Sequence, residues 1–248
     1  MTYPQFESLM KFIIFSIILL LFTGCSQVNL QTVWVHTKNA SIGAISDPVT
    51  WAPLATGATL YATKTDDDIT QYIMKHPILN SQEDDLYREI NGLETYATAL
   101  FIDDNDSEIK LKRIAVETLG FATARETTNM LNNFVQKETP SRTLKNAIGS
   151  HHATDPFAGS AMNRRNVDQL AIPTWGKYSL NTLSYLTASA SAFTRIEDGG
   201  HSLGDQLVNA SIGNFIGLFV HDLFMKEDTH INLSLQKDQA LISSHWKF

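Results

Sequence analysis

The sequence predicts an all-α fold, and three observations carry that prediction. Apolar residues recur at three- and four-residue spacing along most of the chain after Trp51. Helix-starting residues precede several of these stretches, and proline or glycine follows them. Neither period-two alternation nor a glycine-rich strand-turn-helix unit is visible, and there is no internal repeat. The elements follow in order. Val28 to Pro53, rich in Thr, Ser, Gly and Pro, reads as a tether with an irregular lead-in. Trp51 to Ala62 is a short Ala/Thr-rich helix, and Asp66-Asp67-Asp68 opens a second one that runs to Lys75 and stops before Pro77. Those aspartates suit the positive end of a helix dipole better than a metal. Glu83 to Phe101 places Leu86, Ile90, Leu93, Ala97 and Leu100 on one apolar stripe. Asp106-Ser107 caps a long helix to Phe134, with Leu111, Ala115, Leu119 and Ala122 on one face. Helices follow at Pro156 to Asp168, Tyr178 to Phe193 and Leu203 to Phe224.

Composition supports one core. A chain of 248 residues with 43% hydrophobic and 18% charged residues is globular, and nothing in its composition separates two domains. A formal charge of -7 gives no basic stripe for a phosphate backbone, so nucleic acid is not an expected partner. A small anion remains possible where a few cations are focused in one cleft.

The N-terminus reads as a leader. Lys11 precedes an apolar run from Phe12 to Phe22, and Leu21-Phe22-Thr23-Gly24 leads into Cys25, the only cysteine. The run falls short of the roughly 20 apolar residues that a membrane span requires. A basic residue, a short apolar run and small residues before a cysteine resemble a bacterial lipoprotein signal peptide. The expected organisation is a signal peptide over 1–24, a tether over 25–50 beginning at lipid-modified Cys25, and a helical domain over 51–248. Met10 is a better start than Met1, because Glu7 dilutes the basic region. Ser26 resembles an outer-membrane retention signal, which places the chain on the periplasmic face of that membrane. A single cysteine allows no intramolecular disulfide, and no segment after Cys25 reaches the apolar length of a span.

The chemistry concentrates in two clusters. Thr194-Arg195-Ile196-Glu197-Asp198-Gly199-Gly200-His201-Ser202-Leu203-Gly204-Asp205 sets an arginine, a histidine and an aspartate around a glycine-rich turn that opens a helix. Ser202-x-x-Asp205 alone is satisfied by a capping box. His201 and Arg195 are not explained that way. A histidine at a helix N-terminus is biased toward its neutral, nucleophilic form, and Asp205 is spaced to hold its other ring nitrogen. The glycines would let backbone N–H groups approach an anion. The second cluster is Gly149-Ser150-His151-His152-Ala153 before Asp155-Pro156. Adjacent histidines diverge and lack a third ligand at useful spacing, which argues against zinc. Ser150 is instead placed to donate to a phosphate oxygen, and His152 to act as a general acid.

In this order the two clusters resemble the type 2 phosphatidic-acid phosphatase and vanadium haloperoxidase superfamily. Its third motif runs Ser-Arg, five residues, His, three residues, Asp; here Thr194-Arg195, His201 and Asp205 keep that spacing, with Thr for Ser. Its second motif, Pro-Ser-Gly-His, is matched by the serine and last histidine of Gly149-Ser150-His151-His152, and Pro156 to Asp168 looks like its soluble bacterial members. The likeness covers Asp66 to Phe224. It implies a helical bundle of that type, attack by His201 on a phosphoester to give a phosphohistidine, Asp205 orienting the imidazole, Arg195 and Ser150 holding phosphate oxygens, and His152 protonating the leaving oxygen. It implies no metal and no other cofactor.

The first motif departs from the pattern. The family expects Lys, six residues, Arg-Pro; alignment on Pro140 puts Asn132 and Thr139 in place of the two cations. Charge-assisted contacts are roughly twice as strong as neutral ones. The loss is therefore large unless Lys137, Arg142 or Lys145 reaches the site; otherwise these three form a solvated basic loop. Two readings stay open, a periplasmic phosphatase acting on a lipid phosphate, an isoprenoid pyrophosphate or a soluble phosphomonoester, and a non-catalytic lipoprotein that keeps the fold to bind an anion or a partner.

Overall fold

A computed structural model describes residues 30–79, 84–102, 107–141, 147–225, 230–236 and 239–245. The leader, Cys25, Ser26, Glu83, Asp106, Arg142 and Lys145 lie outside the described residues. Chain contacts divide the protein into a unit of residues 39–225 and one of 1–38 with 226–248.

The helices are α1 (Leu30–Ser46), α2 (Pro48–Thr63), α3 (Asp66–Lys75), α4 (Asp84–Phe101), α5 (Ser107–Val135), α6 (His151–Gln169), α7 (Thr174–Glu197) and α8 (Leu203–Met225). The all-helical character expected of the chain is observed among the described residues of 39–225. Two expectations fail. The tether expected over 25–50 is helical from Leu30, because Asp47 caps α2 through Val49 N at 3.0 Å and Pro48 occupies its first turn, so one helix ends where the next begins. The described part of the second unit includes an antiparallel hairpin, β1 (His230–Gln236) with β2 (Gln239–His245), in which His230 faces His245 and Gln236 faces Gln239. The sequence signal for it is the alternation of Ile231, Leu233 and Leu235 with Asn232 and Ser234.

Helices α6 and α8 form the centre of the bundle, and small residues let them meet closely. A Cβ on Gly213 would collide with the Thr154 carbonyl oxygen, and one on Gly217 with that of Ala158. Helix α8 is long and apolar enough by composition to cross a membrane, contrary to expectation. Most of it is buried inside the bundle, along with Gln206, Asn209, Asn214, His221 and Asp222.

The stripe expected to anchor α4 points the other way. Leu86, Ile90, Leu93 and Leu100 are exposed, and the buried face carries Asn91, Thr95, Thr98 and Ala99. Helix α5 behaves alike: Leu111 and Leu119 are exposed, whereas Val116, Glu117, Gly120, Ala124 and Thr128 are buried. The reason is the hydrogen bonding available inside. Asn91 donates to Ser160 Oγ at 2.9 Å and to the Ser184 carbonyl at 3.0 Å, and Thr98 donates to Asn163 Oδ1 at 2.7 Å. Such short polar side chains need partners once buried, and these helices supply them mutually.

Burial also sets the pH response. It pushes the Glu117 carboxyl up to about 8 and that of Glu94 to about 7, and it pushes His151, His201 and His221 below the ordinary histidine range. Above pH 6.5 the native state holds protons that the unfolded carboxylates have released, so stability falls as pH rises toward 8. As pH falls below about 6.5 the unfolded histidines take up protons that the native rings resist, so this contribution falls as pH drops. Melting temperature should therefore fall as pH rises from about 6.5 to 8. Glu117→Gln should flatten the alkaline limb; a limb unchanged in that variant would contradict the assignment.

Candidate active site

The loop over 147–150 is stitched to the start of α8, which brings the two sequence clusters together. Asn209 donates from Nδ2 to the Ile148 carbonyl at 2.5 Å, and its Oδ1 accepts from Ser150 N at 3.1 Å and from Thr154 Oγ1 at 3.1 Å. Asn132 clamps the same loop from α5, accepting from Gly149 N at 2.8 Å and donating to its carbonyl at 3.0 Å. The position expected to hold a lysine is thus a structural clamp.

His201 sits in the turn after α7, which ends at Glu197 with Gly199 in the left-handed region at φ 72°. Its ring is buried, and Nδ1 lies 2.7 Å from the Ala147 carbonyl. A carbonyl only accepts, so Nδ1 carries the proton; in the neutral ring Nε2 then keeps its lone pair. Burial pushes the ring toward that neutral form, against the opposing pull of the Ala147 carbonyl. The ring is therefore neutral at pH 7 with a basic Nε2. Nitrogen-detected NMR of the histidines should show His201 protonated on Nδ1 alone at neutral pH; a proton on Nε2 would contradict this geometry.

Asp205 is placed differently from expectation. Its fully buried carboxylate accepts from Lys137 Nζ at 2.9 Å on both oxygens, from Tyr61 OH at 2.5 Å, and from Ser202 N and Oγ at 3.1 and 2.9 Å. Asp205 N in turn donates to Ser202 Oγ at 3.2 Å, which completes a capping box. The Ala147 carbonyl takes the orienting role expected of Asp205. Of the two courses open to Lys137 in the sequence, a solvated loop is not the one observed: Nζ also reaches Ser202 Oγ at 3.2 Å and lies 4.7 Å from the centre of the Tyr61 ring. The Tyr61 hydroxyl is pushed far up by burial and then by the Asp205 charge, so it remains a donor.

The turn offers no idle backbone donors. From Gly199 to Asp205 every N–H has an acceptor within the protein: the carbonyls of Ile196 and Arg195, and the side chains of Asp198, Asp205, Thr70, Asp66 and Ser202. The expected anion cradle is therefore filled. Asp66, read from sequence as an acidic first turn, is buried and accepts from Gly204 N at 2.7 Å. An anion at this site must be held by side chains.

The remaining expected residues lie around this core. Arg195 carries its guanidinium beside Gly200 and pairs with Asp198 at 2.5 Å. Ser150 is the N-cap residue of α6; its Oγ accepts from Gln206 Nε2 at 3.2 Å. His152 is in the first turn of α6 and half-buried. His151 Nδ1 lies 4.0 Å from Asp155, which Arg125 also engages at 2.8 Å. Beside Ser202 opens a cleft of about 530 Å³, lined also by Asp67, Thr70, Gln71, Lys137, Glu138, Thr139 and Pro140. Thr139 is buried, with Oγ1 3.2 Å from Ser141 Oγ, and supplies no charge.

Comparison with protein-family models, curated proteins and solved structures finds no match to this chain.

Proposed function

We propose that the protein is a phosphoester hydrolase in which His201 Nε2 attacks phosphorus and forms a phosphohistidine. The observation that carries this reading is the neutral, buried imidazole whose Nδ1–H is fixed by the Ala147 carbonyl, which leaves a lone pair on Nε2. In the first step the Nε2 lone pair forms the N–P bond as the P–O bond to the leaving group breaks. His152 delivers a proton to that oxygen. In the second step water, losing its proton to His152, attacks phosphorus, releases inorganic phosphate and returns the electron pair to Nε2. Arg195 and the Ser150 hydroxyl would hold phosphate oxygens, and Lys137, bonded to Ser202 beside His201, would stand in for the cations absent at Asn132 and Thr139. No step requires a metal or another cofactor. In this reading the chain is anchored by lipid on Cys25 to the periplasmic face of a bacterial outer membrane, and its substrate is a phosphomonoester or a lipid (pyro)phosphate.

A second reading is favoured by one specific set of contacts. Arg195 is paired with Asp198 and Lys137 with Asp205, and every turn N–H is occupied, as in a fold retained for binding. Phosphate release from a lipid phosphate, an isoprenoid pyrophosphate and a soluble phosphomonoester, each with and without vanadate, separates the two. Turnover inhibited by vanadate is expected. Absence of turnover on all three would favour the non-catalytic lipoprotein.

A further inference from the structure

From Asn39 to Thr63 the sequence carries a single charged residue, Asp47. That charge is compensated inside the protein: Asp47 caps α2 and pairs with Arg164 at 2.6 Å. Yet the segment is at the surface. On α2 only Thr50 and Gly57 are buried, and Trp51 is 53% and Leu54 46% exposed. At the end of α1, Ile42 and Ile45 are 52% and 58% exposed. A surface helix in water ordinarily turns charged residues outward, and here none is available.

The polar groups of this face are also withdrawn from the outside. Thr56 Oγ1 donates to the Ala52 carbonyl at 2.9 Å and Thr59 Oγ1 to that of Ala55 at 2.8 Å, and Thr63 Oγ1 donates to that of Thr59 at 2.8 Å. Threonine bonding back to its own helix needs no water. The exposed stripe of α4 differs, since Asp85 and Glu89 are exposed alongside it.

We infer that the corner formed by the end of α1 and the outer face of α2 docks into the interfacial layer of the bilayer to which the chain is tethered. The inference rests on the lipid anchor at Cys25. Only residues 26–29 separate that cysteine from α1 at Leu30, a reach of at most about 18 Å over five residue steps, so the helices cannot stand far from the membrane. An indole on an uncharged face is suited to the interface. The docked helix ends at the site: Tyr61, about 15 Å along α2 from Trp51, bonds Asp205. The arrangement favours a substrate whose phosphate emerges from a bilayer.

The test uses the full chain as expressed, reconstituted in vesicles of phosphatidylethanolamine and phosphatidylglycerol that contain brominated acyl chains, with tryptophan emission as the readout. Quenching is expected in the wild type and in Trp175→Phe. It should be reduced at least twofold in Leu54→Glu, and the quenched share of emission should fall in Trp51→Phe, a variant that keeps an aromatic ring at an exposed position. Label from a fatty-acid analogue checks the anchor separately. Label with equal quenching in wild type and Trp51→Phe overturns the docking and leaves the anchor standing. Absence of label in the wild type, or label that persists in Cys25→Ser, overturns the anchor and with it the docking that rests on it.

Discussion

His201→Ala should reduce phosphate release at least about 10³-fold while leaving helicity intact, because a nucleophile has no substitute in the cluster around it. The ring makes one described hydrogen bond, to the Ala147 carbonyl, and the α8 start is capped independently by Ser202, Asp205, Asp66 and Thr70. Removing the imidazole therefore leaves the architecture of the turn in place. Arg195→Ala should act differently, raising the substrate concentration required as well as slowing turnover, since a charge-assisted contact to a bound phosphate contributes before the transition state too. Steady-state kinetics of the two purified variants, with circular dichroism as the control, check this. Activity surviving in His201→Ala would remove the phosphohistidine from the account.

Lys137→Met should cost about 1.5–3 kcal/mol of stability, a drop in melting temperature of roughly 3–12 °C for a chain of this size. The ammonium spans both oxygens of a carboxylate that is 0% exposed, so its removal leaves Asp205 with only neutral donors, Tyr61 and Ser202. Adding Asp205→Asn should recover most of the loss, because replacing both partners leaves no uncompensated charge. A single variant as stable as the wild type would mean that the pair does not organise the site.

Helix boundaries were legible wherever a local signal sets them. Asp66 to Lys75 and the start of α8 at Leu203 agree with expectation, and Ser202 with Asp205 forms the capping box that the spacing announces. Which face turns inward was not legible on α4 and α5. Periodicity marks the apolar stripe, but the interior of this bundle is built from buried Asn, Ser and Thr held by mutual hydrogen bonds, and their partners lie on other helices. The site shows the same division. The spacing of Arg195, His201 and Asp205 identified the cluster, but not that Asp205 binds Lys137 or that Ala147 holds the imidazole. Those contacts depend on loops whose course no local pattern encodes. Asn209 had a usable signal, as an asparagine four residues after Asp205 on a largely apolar helix.

The most direct measurement is to quench the full-length protein in alkali during turnover of a phosphomonoester and map any phosphoryl adduct by mass spectrometry, with His201→Ala alongside. The account predicts an acid-labile, alkali-stable phosphoryl group on His201 of the wild type and none in the variant. An adduct on another residue, or steady turnover with His201 unmodified throughout, would contradict it.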